Sequence, residues 1–151
     1  MNNEISKGTK ELCCCLEENT QISMADGSNK KIKDITMGER VHSTSGHFGE
    51  VINIWRSKES DCYRIICESG FAVTATYNHP FLTDNGWKRA NELKDSDKLL
   101  DEDGNPVGIS RIEKTDETLY VCNLKFASPT IIIANGVQCG DFSIQNGMMP
   151  E

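Results

Sequence analysis

At 151 residues the chain has room for one domain with its own core, and not for two ordinary domains and a linker. Hydrophobic content of 37% beside 26% charged residues is that of a folding chain and excludes a wholly disordered one. A formal charge of −7 argues against a phosphate-backbone surface, because the one basic group, Lys30-Lys31 with Lys33, is short and diluted by Asp34; no nucleic-acid partner is expected. The longest apolar run, Thr130-Ile131-Ile132-Ile133-Ala134, falls far short of the roughly 18 to 20 residues of a membrane span, so no membrane partner is expected either.

In chain order, residues 1–12 read as a polar, patternless flank, the upstream segment. They lack the apolar stretch of ~7–15 residues that a secretory signal needs. The expected location is therefore the cytoplasm at synthesis, or wherever a larger precursor carries the segment. Residues 13–142 read as the domain and 143–151 as a C-terminal tail. The cysteine count is seven, an odd number, and Cys13-Cys14-Cys15 are contiguous. Adjacent cysteines bridge each other only with strain, so this is no disulfide scaffold. No CxxC pair is followed by a second CxxC or HxxxH, so neither a metal nor another cofactor is expected.

Turn dipeptides recur along the chain at Asp26-Gly27, Met37-Gly38, Ser45-Gly46, Ser69-Gly70, Asn85-Gly86, Asp103-Gly104 and Asn135-Gly136. Between them lie β-rich runs at 48–56, 62–68, 71–76, 107–112, 119–126 and 130–134. In 63–68 and 71–76 the apolar side chains fall mostly on one parity, which suits strands that bury one face and predicts a hairpin through Ser69-Gly70. One short helix is expected at 88–93, where Ala90 and Leu93 are spaced to face inward together. Cys62, Cys67 and Cys122 read as small core residues, and Trp55 and Trp87 as core aromatics. His42 and His47 lie near a turn and read as surface residues.

Three blocks carry a more specific signal. The first is Cys15-Leu16-Glu17-Glu18-Asn19-Thr20-Gln21-Ile22, leading into Met24-Ala25-Asp26-Gly27. The second is Thr76-Tyr77-Asn78-His79-Pro80-Phe81-Leu82, and the third runs from Gly86-Trp87 to Asn91-Glu92-Leu93 and on to Asp97-Lys98-Leu99. In order and spacing they resemble the Hint domain, the fold of inteins and of hedgehog autoprocessing domains. Only Cys15 stands in register with Thr20 and Ile22 as the opening Cys of that family. A fourth segment, 119–124 to 130–137, resembles the penultimate strands. It departs from the splicing pattern, with Ser128-Pro129 before Thr130 and Gly140-Asp141-Phe142 where inteins close on His-Asn and a Cys, Ser or Thr.

The resemblance implies an all-β, compact, horseshoe-like fold of many short strands and hairpins. It also implies an N-to-S acyl shift at the Cys14–Cys15 bond. A free thiol is only a few per cent thiolate at neutral pH. The site must therefore hold Cys15 against the Cys14 carbonyl, donate to the developing oxyanion, and protonate the departing nitrogen. By the family pattern His79 protonates the Cys15 nitrogen, Thr76 and Asn78 polarise or orient the same bond, and Asn123 stands in the frequent Asp position. An amide there hydrogen-bonds but does not shuttle a proton. Asp141 takes the closing position. The partners implied are the upstream polypeptide in cis and an external water, thiol or amine, with the chain acting on itself as a monomer.

Two readings of other kinds stand beside this one: a Hint fold without chemistry that serves as a spacer or interaction module, and a thiol redox or metal site. Because the ends of a Hint domain meet, Cys139 could pair with Cys14 or Cys15 and switch the nucleophile off under oxidising conditions.

Overall fold

The computed structural model describes residues 14–44 and 46–145. Cys13, Ser45 and the flanking positions 1–12 and 146–151 lie outside the described residues, so the expected polar flank and most of the expected tail go without a structural account.

The chain is all-β. Its strands in order are β1 (Leu16–Glu17), β2 (Gln21–Ser23), β3 (Asn29–Lys31), β4 (Arg40–His42), β5 (Phe48–Glu59), β6 (Cys62–Cys67), β7 (Ala72–Thr76), β8 (Pro80–Thr83), β9 (Gly86–Arg89), β10 (Lys98–Leu100), β11 (Pro106–Thr115), β12 (Leu119–Phe126), β13 (Ile131–Ala134) and β14 (Val137–Gly140). A short helix, α1 (Phe142–Gln145), follows. The hydrogen-bonded path is β3-β2-β13-β14-β8-β10-β11-β6-β7-β1-β12-β5-β4, with β9 paired to β8.

Hairpins build most of this path. The β6–β7 hairpin pairs Tyr63 with Ala75 and Ile65 with Val73, and turns at Gly70, whose φ of 101° a side chain would oppose. Asn135 and Gly136, at φ 48° and 90°, turn β13 back onto β14 in the arrangement that Asn-Gly favours between antiparallel strands. The two longest hydrogen-bonded pairs, β5 with β12 and β6 with β11, join residues far apart in the chain. The core gathers Leu16, Ile22, Ile65, Phe81, Leu124 and Ile132, all with no exposed surface. Burying each such side chain stabilises the fold by about 1.5–3 kcal/mol.

Three expectations need correction. Residues 88–93 are not a helix: Trp87, Lys88 and Arg89 pair with Leu82, Phe81 and Pro80, and only a 3-10 turn remains at Ala90–Glu92. Ladder hydrogen bonds outweigh a weak local helix preference there. Ala90 and Leu93 still face inward, both buried. Trp87 is half-buried rather than in the core, because β9 lies on the sheet's edge; Trp55 is buried. Finally, the boundary after residue 142 cuts through α1. Ser143 and Ile144 are buried, so the packed unit continues to the helix.

Candidate functional site

Cys14 and Cys15 enter the fold just ahead of β1, a strand of two residues held on both sides: Leu16 pairs with Ala75 of β7 and with Cys122 of β12. Leu16 has no exposed surface and anchors the register. The Cys15 carbonyl accepts the Thr76 N–H at 2.9 Å. With the main chain fixed on each side, the Cys14–Cys15 peptide bond has little freedom left.

Both halves of that bond are gripped. The Cys15 N–H donates to Thr76 Oγ1 at 2.9 Å, and Thr76 Oγ1 in turn donates to Asn78 Oδ1 at 2.9 Å. The Cys14 carbonyl accepts a short hydrogen bond from Asn123 Nδ2. Asn123 is itself oriented, since its Oδ1 accepts the Leu124 N–H at 2.8 Å. An amide anchored at its oxygen holds Nδ2 against Cys14, where it reaches both the Sγ, at 3.7 Å, and the carbonyl on which a tetrahedral adduct would carry negative charge.

His79 has no exposed surface. Its turn is set by the third sequence block: the His79 N–H donates to the Thr76 carbonyl at 3.1 Å, and the His79 and Tyr77 carbonyls accept the Ala90 and Asn91 N–H groups, each at 2.9 Å. Neither ring nitrogen completes a hydrogen bond. Burial pushes its pKa down to about 3, only partly offset by the nearby carbonyls of Gly140 and Cys14. At neutral pH the ring is thus an uncharged imidazole between the two ends of the domain. Charge developing on the Cys14 oxygen would make a proton on that ring far less costly.

Around Cys14 lies a cluster of acidic groups whose pKa values are all raised by burial. Burial, with Cys15, Cys139 and Asp141 near, raises the Cys14 thiol well above its ordinary value. Burial, with Asp141 near, also raises Cys139, and it lifts the Asp141 carboxyl to about 6. Asp141 Oδ1 accepts the Ile144 N–H at 3.1 Å, whereas Oδ2 is buried without a partner. Among the described residues no disulfide links any of the six cysteines. Among the described residues no three His, Cys, Asp or Glu side chains are grouped so as to hold a metal ion.

The structure therefore brings Cys14, Thr76, Asn78, His79, Asn123, Cys139 and Asp141 around one peptide bond. The Cys15 side chain also has an apolar side to its surroundings. It is nearly buried and packs in a small cluster with Cys62, Val121 and Leu119. His42 is half-buried and His47 exposed, away from these residues. The ring stack of Trp55 on Phe142, with centroids 4.2 Å apart and planes at 16°, was not anticipated. Its one sequence signal is the Asp141 N-cap pattern that precedes a short helix.

A family model described as the pretoxin HINT domain matches residues 21–141. This chain belongs to that family. The HINT domain is similar in structure to the DnaB intein from Synechocystis sp. PCC 6803, with a TM-score of 0.77 and 24% identity over 85% of this chain and 99% of that one. It is also similar to the gp41-1 intein, with a TM-score of 0.70 and 25% identity over 84% and 98%. Among curated proteins it is 35% identical over 95 residues to the replication factor C small subunit of Methanocaldococcus jannaschii, covering 57% of this chain and 5% of that protein. With the replicative DNA helicase DnaB of Rhodothermus marinus it shares 31% identity over 93 residues, 56% of this chain and 10% of that protein. The chain thus spans a tenth or less of these two relatives. The HINT domain is an autoprocessing or splicing-type domain in general character.

Proposed function

We propose that this HINT domain performs an N-to-S acyl shift at the Cys14–Cys15 bond, giving a thioester that water, a thiol or an amine then resolves. The observation that carries this reading is the two-sided grip on one peptide bond, Thr76 Oγ1 on its N–H and Asn123 Nδ2 on its carbonyl. In the step, Cys15 Sγ bonds to the Cys14 carbonyl carbon, the carbon–nitrogen bond breaks, and the thiol proton ends on the Cys15 nitrogen. His79 carries that proton: a neutral imidazole accepts it as negative charge grows on the adjacent oxygen and returns it as the nitrogen becomes basic. Asn123 stabilises the oxyanion throughout. Asp141 does not cleave its own peptide bond, because a carboxylate replaces the nucleophilic amide and one oxygen is engaged in capping α1.

The partner is the domain's own upstream segment, residues 1–14, in cis. That the family's description reads pretoxin suits a domain that parts from a neighbouring segment. A second reading, a folded spacer without chemistry, draws on the Cys15 side chain, which is buried in a small cluster with Cys62, Val121 and Leu119. Intact mass of the purified chain, with and without a small thiol or hydroxylamine, separates the two. Release of residues 1–14 is expected; an unchanged mass under both conditions would establish the spacer.

A further inference from the structure

We propose that α1 is a latch that positions Asn123, acting through Phe142 on Trp55, so that processing at the N-terminal junction depends on residues downstream of Asp141. This rests on the acyl-shift reading. Trp55 of β5 and Asn123 of β12 stand directly opposite in register, so their side chains leave the sheet on the same face. Phe142 stacks flat on the Trp55 ring. Directly opposed side chains this close limit each other's rotamers, and the stack keeps the indole from moving over Asn123 or admitting water to it.

The helix is held in place from several directions. Asp141 Oδ1 caps it through the Ile144 N–H, and Lys125 Nζ, two residues beyond Asn123, donates to Ser143 Oγ at 3.3 Å. Ile144 has no exposed surface and lies over Gly140. A β-carbon at Gly140 would come within 2.8 Å of Ile144 Cβ and 3.1 Å of Pro80 Cγ, and Pro80 directly follows His79. The helix thus packs over Gly140 and is tied to Lys125, on the strand that carries Asn123. The indole Nε1 of Trp55 is buried without a hydrogen bond, a cost the packing of this corner must outweigh. The family match runs to Asp141, the residue that caps this helix.

The test uses the full chain and the variants Phe142→Ala, Phe142→Leu and Phe142→Tyr. Thiol-induced release of residues 1–14 should slow on the order of tenfold to a hundredfold in Phe142→Ala, as expected when a group at a reacting centre is misplaced by a fraction of an ångström. Phe142→Tyr should restore the parent rate, since it keeps the stacked ring. If Phe142→Ala does not fold, Phe142→Leu, which fills the space without the stack, takes its place. A second readout is independent of cleavage. The Asn123 side-chain amide protons, followed by nuclear magnetic resonance, should exchange with water faster in Phe142→Ala while main-chain amides of β12 stay protected. Parent-like cleavage together with unchanged Asn123 exchange would overturn the latch. If the parent itself fails to cleave, the acyl-shift reading falls, and the exchange measurement alone decides the latch.

Discussion

The two junctions of the domain lie side by side, yet they are held by different physics. At the N-terminal junction polar groups close on a peptide bond, Thr76 on its nitrogen and Asn123 on its oxygen, with a neutral His79 beside them. At the C-terminal junction the bond between Asp141 and Phe142 is secured by packing and capping. Ile144 is buried against Gly140, Phe142 is stacked on Trp55, and the Asp141 carboxyl binds the helix it precedes. The first arrangement suits charge that would appear only during the proposed reaction, and the second stabilises the ground state. Burial alone does not make a junction reactive; donors aimed at the reacting atoms do.

The most severe way to break the contrast is to remove the proposed nucleophile. Cys15→Ala should abolish thiol-induced cleavage while the fold persists, and Cys13→Ala should leave it intact; mass mapping of the fragments decides, and release at an undiminished rate in Cys15→Ala would return the nucleophile to one of its neighbours. Next comes the proposed proton carrier. His79→Ala should slow thioester formation by roughly 10²–10⁴-fold. A folded variant that cleaves at the parent rate would make His79 a packing residue.

A smaller effect sharpens the comparison through pH. The folded-state pKa of His79, about 3, lies below its ordinary 6.5, so in that interval the unfolded chain binds a proton the folded chain does not, and stability falls as pH falls. Asp141 works in the opposite sense. Its folded-state pKa, about 6, lies above 3.8, so the folded chain binds the extra proton and gains stability as pH falls through that window. Between about pH 4 and 6 the two contributions cancel, and denaturant midpoints of the parent should change little there. In Asp141→Asn only the His79 contribution remains, and stability should fall by about 1.4 kcal/mol per pH unit in the same window. A flat profile in that variant would mean that His79 is reached by solvent.

The smallest expected effect is none at all. With one reporter fused before Met1 and another after Glu151, no ligated product should form and little fragment beginning at Phe142 should appear. Gly140 leaves no room for the His that would assist, because any β-carbon there would strike Ile144. A joined product of the two reporters would show that the closing residues react by another route.

Much of the fold was legible because its determinants are local. The Ser69-Gly70 and Asn135-Gly136 turns announce their hairpins through backbone conformations few other residues adopt, and one-sided apolar parity marks β6 and β7 as strands. The order of the Cys15, Thr76 and Gly86 blocks also indicated which residues gather at one bond, though their placement is a matter of geometry and their roles await the experiments above. Local preference misled where a distant partner outbid it. Lys88 and Arg89 became a strand because β8 offered a ladder, and residues 142–145 became a helix because Asp141, Trp55 and Gly140 offered a cap, a ring and a gap. By itself the sequence determined the turns, the strand parity and the register of Cys15. Only the tertiary structure decided that His79 is neutral, that Asp141 holds its proton to about pH 6, and that Cys15 packs beside Cys62 and Val121. The reason is physical: desolvation and packing depend on residues as far apart as Cys14 and Asn123, which become neighbours only once the whole sheet has formed.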